Sequence, residues 1–246
     1  MRYLILSDLH ANQEALDSVV REAHGRWDRA LCCGDLVGYG ADPNPVVDWV
    51  RAHCSLVVRG NHDRACTGLE DLEWFNPVAK AAAAWTQQAL TPQNLAWVRD
   101  LPMGPLVLED FEVAHGSPYD EDEYLAAGDE AATAFAYLEC PLAFFGHTHV
   151  QGGYLWNQGR VEAIPRMSAR AQGRTIALDA GCAYLVNPGS VGQPRDGDPR
   201  AAFALYDSGP STVTYRRVSY DVERAQRKIR KAGLPLSLAD RLGVGR

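Results

Sequence analysis

The chain has no Cys-x-x-Cys pair, no apolar run of membrane-spanning length and no surplus of positive charge, and each absence removes a class of function. Six cysteines (Cys32, Cys33, Cys54, Cys66, Cys140 and Cys182) fall without regular spacing, which argues against a zinc ribbon or a disulfide framework. Reduced, packed thiols in a cytoplasmic protein are expected instead. Lys and Arg number 24 against 31 Asp and Glu, a net charge of −7, so a general pull toward nucleic-acid backbones is missing. Stable nucleic-acid binding and membrane insertion are therefore not expected, and any affinity for phosphate must be local. The first strand-like segment runs straight into polar residues, without the apolar core of a signal peptide. Repeats, low-complexity tracts and long linkers are also lacking. With 246 residues, 46% hydrophobic and 22% charged, the chain reads as one globular domain spanning 1–246.

The first third alternates short apolar runs with amphipathic stretches. Strands are expected over 3–6, 29–33 and 55–58, with helices over 13–24 and 45–52. Such a βαβαβ order predicts a parallel sheet with right-handed crossovers. Cys32 and Cys33 then point to opposite faces of one strand. A turn over 71–74 leads to a helical region over 76–101, with Pro77 and Pro92 at helix starts. The stretch from Trp74 to Trp97 reads as core-facing helix in preference to a partner surface. Strands follow over 106–109 and 111–114, turning near Asp110, then a helix over 129–138 and an apolar run over 142–145. Segments over 150–219, broken by Gly, Pro and Asp, suggest a largely antiparallel second sheet. The tail over 222–232 reads as a basic surface helix. The expected class is α/β with α+β character: two packed β-sheets flanked by α-helices.

The informative residues sit where predicted strands end. They are Asp8-Leu9-His10, Gly34-Asp35, Gly60-Asn61-His62-Asp63, His115-Gly116 and Gly146-His147-Thr148-His149. Carboxyl ends of parallel strands line one sheet edge, so Asp8, Asp35 and Asn61 should converge, with His115, His147 and His149 delivered by a second sheet. Imidazole, carboxylate and amide oxygen together suit divalent Mn, Fe, Co, Ni or Zn, with no thiolate involved. Residues two apart on an extended segment point the same way, pairing Asp8 with His10 and His147 with His149. Taken singly, Asp8 could cap the following helix, Asp35 could be a turn residue, Asn61 and His62 could be an ordinary turn, and His115 could be structural. Five such motifs in compatible order favour a shared metal site.

In that order the motifs resemble the signature of the calcineurin-like metallophosphoesterase superfamily. The blocks span Asp8 to His149, and Asn187-Pro188-Gly189-Ser190-Val191-Gly192 is similar to a segment of its small bacterial, phosphodiesterase-like branch. The resemblance implies a four-layer sandwich of two mixed β-sheets between α-helices, with the metal site at the strand ends. It implies two divalent metal ions per chain, manganese being favoured. Asp8, His10 and His149 would hold one ion, Asn61, His115 and His147 the other, and Asp35 would bridge them. His62 would stand off the metals as the acid that protonates the leaving group, with Asp63 or another carboxylate orienting it.

The implied activity is hydrolysis of a small phosphate ester by metal-activated water. Protein phosphatases and dinucleoside-tetraphosphatases of the superfamily carry an arginine soon after the Gly-Asp block. Here that stretch reads Gly38-Tyr39-Gly40, and Asp63 stands where that branch has Glu. Both departures favour a phosphodiesterase acting on nucleotide-type substrates over a phosphomonoesterase or protein or dinucleoside-polyphosphate phosphatase. Arg195 and Tyr39 are the candidate substrate contacts. A non-catalytic scaffold on this fold, as in the retromer subunit resembling these enzymes, remains the alternative of another class. Assembly into a homo-oligomer is compatible with the sequence.

Overall fold

The computed structural model describes residues 1–168 and 171–246, the Trp74 side chain lying outside that description. The chain opens as β1 (Arg2–Leu6), α1 (Gln13–Ala23), β2 (Arg29–Cys32), α2 (Pro43–His53) and β3 (Cys54–Val57). β1 pairs parallel with β2, and β2 with β3, as the βαβαβ order predicts. α3 (Asn61–Thr67) comes next, then a 3₁₀ turn at Leu72–Trp74, α4 (Pro77–Ala89) and α5 (Pro92–Arg99). Pro77 and Pro92 occupy the first turns of α4 and α5. The Asn76 and Thr91 side chains cap those turns by accepting backbone N–H groups, the usual economy of a helix start.

The remaining elements are β4 (Leu106–Leu108), β5 (Phe111–Val113), α6 (Gly128–Phe135), β6 (Leu142–Phe144), β7 (Gly152–Asn157), β8 (Arg160–Ala163), β9 (Gly173–Ala177), β10 (Ala183–Asn187), β11 (Ala201–Asp207), β12 (Thr212–Val218), α7 (Val222–Lys231) and α8 (Leu236–Leu242). The strands form two six-stranded sheets, ordered β3-β2-β1-β11-β12-β9 and β4-β5-β6-β10-β7-β8. The expectation that 150–219 builds its own antiparallel sheet is thereby corrected. β9, β11 and β12 extend the first sheet across the free edge of β1, while β10 pairs parallel with β6. The cause is visible in β11, whose first four residues are buried on both faces. Such a strand belongs in a sheet centre covered on both sides.

Alternation in β1 sets the layers. Leu4 and Leu6 pack with Leu16 and Val19 of α1 and Val46, Val47 and Val50 of α2. Tyr3 and Ile5 point the other way, into an inter-sheet core with Phe111, Phe144, Tyr206 and Tyr215. Each fully buried side chain of this kind contributes about 1.5–3 kcal/mol. Cys32 and Cys33 divide between these two cores. On the far side, Ala131 and Ala134 of α6 cover Ala143, Phe145 and Leu185 of the second sheet. The result is the expected four-layer sandwich. α7 is docked more firmly than a basic surface helix would be: Lys228 pairs with Glu14 and Asp42, and Arg224 with Glu14. α8, which the sequence reading did not anticipate, packs with α7 and α4 around Tyr39. No helix among the described residues is long and apolar enough to cross a membrane.

Candidate metal centre

Five loops leave the carboxyl ends of β1, β2, β3, β5 and β6 and meet where the two sheets face each other. Backbone bonds lock them together: Asp8 N–H donates to Gly34 O at 3.0 Å, His10 N–H to Asp35 O at 3.0 Å, and Gly146 N–H to His115 O at 2.8 Å. Side chains at the loop tips are nearly all buried, with Asp8, His10, Asp35, His115, His147 and His149 each at most 3% exposed. Convergence is achieved differently from the extended-segment argument. Asp8, His10, Ala11, Asp35, Tyr39, His147 and His149 all have φ between 45° and 64°, so paired residues are aimed by left-handed turns, not by strand alternation. Non-glycine residues held there cost roughly 1–3 kcal/mol each and persist where surrounding contacts over-determine them. Gly60 and Gly146 make room: a Cβ at the first would overlap Asp35 Oδ1, and at the second Ser7 Oγ.

Asp8, His10, Asp35 and His149 bring ligand atoms within 4.8 Å of one another, and Asp35, His115 and His147 do the same. Asp35 belongs to both groups. Its Oδ2 lies 3.6 Å from His10 Nε2 and 3.5 Å from His115 Nε2, while Oδ1 accepts His62 N–H at 2.9 Å. Asn61 Oδ1 is 3.3 Å from His115 Nε2, which brings the amide to the same group. Asp8 Oδ1 accepts His147 N–H at 3.1 Å and lies 3.4 Å from His149 Nε2. Asp8 Oδ2 and Asp35 Oδ2 are buried without a hydrogen-bond partner.

The histidine protons are set by backbone carbonyls. His10 Nδ1 bonds Val37 O at 3.1 Å, His115 Nδ1 bonds Cys33 O at 2.7 Å, and His149 Nδ1 bonds Gln193 O at 2.6 Å. A carbonyl only accepts, so each Nδ1 carries the proton and each Nε2 a lone pair. His147 is held the other way, its Nε2–H donating to Asp122 O at 3.0 Å, which leaves Nδ1 free. The Nε2 atoms of His10 and His149 then face each other at 3.1 Å, two lone pairs that repel unless a cation joins them. Burial pushes the Asp8 carboxyl up to about 7 and Asp35 well above its ordinary value, and holds His10 and His149 well below theirs. Orphaned carboxylate oxygens, opposed imidazole lone pairs and a hard-to-borderline donor set all fit divalent cations.

Asn12, not Asp8, caps α1 by accepting Ala15 N–H. Asn61 and His62 begin α3 and are not loop residues. Asp63 does not orient His62. Its carboxylate accepts backbone N–H groups of Asp35, Leu36, Val37 and Gly60 at 2.9–3.3 Å, pinning the Asp35 loop to the start of α3. Four such donors occupy a carboxylate fully, which is why none of it reaches the imidazole.

His62 lies against Tyr39 with ring centres 4.3 Å apart, and edge-on to His10 and Phe75. Its Nδ1 has no partner. Burial, then the charges of Arg195 and His115, lower its pKa to about 3. An open cleft of about 310 Å³ lies above, lined by Tyr39, Asn61, His62, Phe75, Tyr124 and His147 among others. Arg195 lies beside Tyr39, its guanidinium 5.8 Å from the ring centre. Sequence reasoning missed Phe75, Tyr124 and Asp122, which nothing local marks. It also missed how the 187–193 turn works: Ser190 Oγ donates to Asp8 O, Asn187 Nδ2 to Gly146 O, and Gln193 O holds His149.

A buried Asp-His set in two groups that share Asp35, at the strand ends of a two-sheet sandwich, fits the architecture of a metallophosphoesterase. Residues 1–209 match the model of the calcineurin-like phosphoesterase superfamily domain, and the chain belongs to that family. It is 35% identical to the uncharacterised protein MJ0912 of Methanocaldococcus jannaschii over 98% of this chain and 97% of that one. A crystal structure of a metallophosphoesterase from Sphaerobacter thermophilus is 39% identical, covers both chains fully and superposes with a TM-score of 0.88. Protein PH1004 of Pyrococcus horikoshii OT3 shares the fold at 18% identity, with a TM-score of 0.78 over 100% of this chain and 98% of its own. The chain is a metal-dependent phosphoric ester hydrolase.

Proposed function

We propose that the protein is a dinuclear phosphodiesterase acting on small nucleotide-type esters. The observation that carries this reading is Asp35 Oδ2, without a hydrogen-bond partner and almost equidistant from His10 Nε2 and His115 Nε2. In this reading Asp8, His10 and His149 would hold one ion and Asn61, His115 and His147 the other, with Asp35 common to both groups. Manganese suits the set, with iron, zinc, cobalt or nickel as alternatives. Bound divalent ions supply positive charge for the phosphoryl oxygens and activate water for attack on phosphorus.

The chain's own residues do the rest. The neutral His and Asn ligands, with only two carboxylates among them, would leave bound divalent ions a positive surplus to draw in an anion. Phe75 and Tyr124 offer aromatic surface to a planar group such as a nucleobase, and the buried Tyr39 lines the same cleft. His62 delivers a proton to the departing oxygen. In the free protein its imidazole is neutral, and an arriving phosphate is the charge that raises its proton affinity. Arg195 meets a substrate oxygen. Six free cysteines fit a reducing, cytoplasmic setting.

The test is a panel of monoesters, diesters, cyclic nucleotides and dinucleotides assayed with Mn, alongside His62→Ala. Diesters are expected to lead, and His62→Ala to retain metal while losing about 10²–10⁴ in kcat. Preference for monoesters would refute the diester assignment, and full turnover by metal-replete His62→Ala would remove its acid role.

A further inference from the structure

Arg241 of α8 was not marked by any motif, yet it reaches the candidate site. Its guanidinium lies 5.9 Å from the centre of the Tyr39 ring, and that of Arg195 lies 5.8 Å from the same centre. Both donate to one acceptor, Gln193 Oε1, at 3.2 Å from Arg241 Nη1 and 3.3 Å from Arg195 Nη2. Arg195 Nη2 also lies 3.5 Å from the Tyr39 hydroxyl. Tyr39 in turn packs on His62 and on His10, with ring centres 4.3 and 4.7 Å away. The two arginines are therefore one aromatic ring removed from the reacting centre.

What sets the pair apart is the lack of a carboxylate in direct contact, although the buried charges of Asp8 and Asp35 are felt by Arg195. Other partly buried guanidiniums are matched: Arg59 with Glu121, Arg64 with Glu70 and Asp122, Arg200 with Asp198, and Arg217 with Asp196. Among the described residues, no carboxylate pairs with Arg195 or Arg241. Two like charges sharing one neutral amide oxygen in a partly buried setting repel each other. Burial and the charge of Arg195 hold Arg241 below the ordinary guanidinium value. The arrangement is nonetheless well supported, since Leu238 and Leu242 anchor α8 against Tyr39, α4 and α7. The family model ends at residue 209, so Arg241 is contributed by a segment beyond it.

We infer that Arg195 and Arg241 form a receptor for a second phosphate of the substrate, adjacent to the ester that is cut. Planar guanidinium forks match phosphate oxygens in pairs, and an anion between them removes their repulsion. The preferred substrate is then a diester carrying a further phosphate group. The inference rests on the phosphodiesterase reading of the same site.

The test compares a dinucleotide with its 5′-phosphorylated form in the Mn-loaded full-length protein, so that the scissile bond is identical and only one phosphate differs. The phosphorylated form is expected to have a kcat/KM at least about tenfold higher, the worth of one or two charge-assisted hydrogen bonds. In Arg241→Gln that ratio is expected to fall toward one, and in Arg241→Lys to recover in part. Equal kcat/KM for the two substrates in the wild type, or a ratio unchanged by Arg241→Gln, overturns the receptor while leaving the diesterase reading intact. Cleavage of neither dinucleotide would refute that reading instead. Titration calorimetry with the same pair then decides the receptor separately, through tighter binding of the phosphorylated form or its absence.

Discussion

At the scale of single residues, the site is a collection of groups that are uncomfortable without cations. Asp8 is completely buried and its carboxyl is pushed up to about 7, chiefly by burial. A protonated carboxyl is a poor ligand, so a metal entering near neutral pH must displace protons. The sign follows: affinity rises with pH until the carboxyls are ionised, and falls as pH drops below about 7. Titration calorimetry with Mn at pH 6.5 in buffers of different ionisation enthalpy is expected to show net proton release, diminishing by pH 8.5. A proton count of zero at both pH values would contradict this account of Asp8. The metal-ligand motifs were legible in the sequence because loop chemistry is local: five short polar blocks after apolar runs need no knowledge of distant contacts. Arg241, Phe75 and Tyr124 were not legible, because their roles come only from which elements pack together. Asp63 was misread for the same reason, its four backbone donors lying on two segments that the sequence does not join.

At the scale of elements, two carboxylates with opposite surroundings make contrasting predictions. Asp63 links the start of α3 to the loop after β2 through four backbone N–H groups. Asp63→Ala leaves those donors unsatisfied and is expected to cost about 2–4 kcal/mol in urea unfolding of the metal-free protein. A loss below about 0.5 kcal/mol would show that the loop holds itself. Glu112 of β5 is buried with neither carboxyl oxygen hydrogen-bonded to a side chain, and burial raises its pKa to about 7. Because the folded value exceeds the unfolded one of about 4.5, the folded chain binds more protons between those limits. The resulting stability is present below about 4.5 and is lost as pH rises through about 7. Glu112→Gln is therefore expected to gain about 1–3 kcal/mol over wild type between pH 5 and pH 8. Parallel pH profiles for the two proteins would refute the assignment. The strands and helices themselves were mostly readable, with boundaries shifted by up to three residues. α3 was hidden because Gly60-Asn61-His62-Asp63 reads as a turn, and α8 because it is only seven residues long.

At the scale of the whole molecule, the topology explains why a negatively charged chain can hydrolyse negatively charged esters. Two sheets face each other so that carboxyl ends of parallel strands from both meet, and ligands spread from Asp8 to His149 become neighbours. The sheet assignment of β9 to β12 could not be read from alternation, since pairing partners depend on which edge remains free after β1 and β2 have paired. In the proposed reading the positive charge that attracts substrate comes from ions held at this junction, not from the surface. Asp35, common to both ligand groups, is the residue on which a two-ion site would depend. The most direct measurement is metal content by plasma mass spectrometry after loading with Mn and removal of free ion, on wild type and Asp35→Ala, with circular dichroism to confirm folding. Two ions per wild-type chain and a loss of most metal in folded Asp35→Ala are predicted. A wild-type chain that retains no metal, or an Asp35→Ala chain that still holds two, would contradict the account.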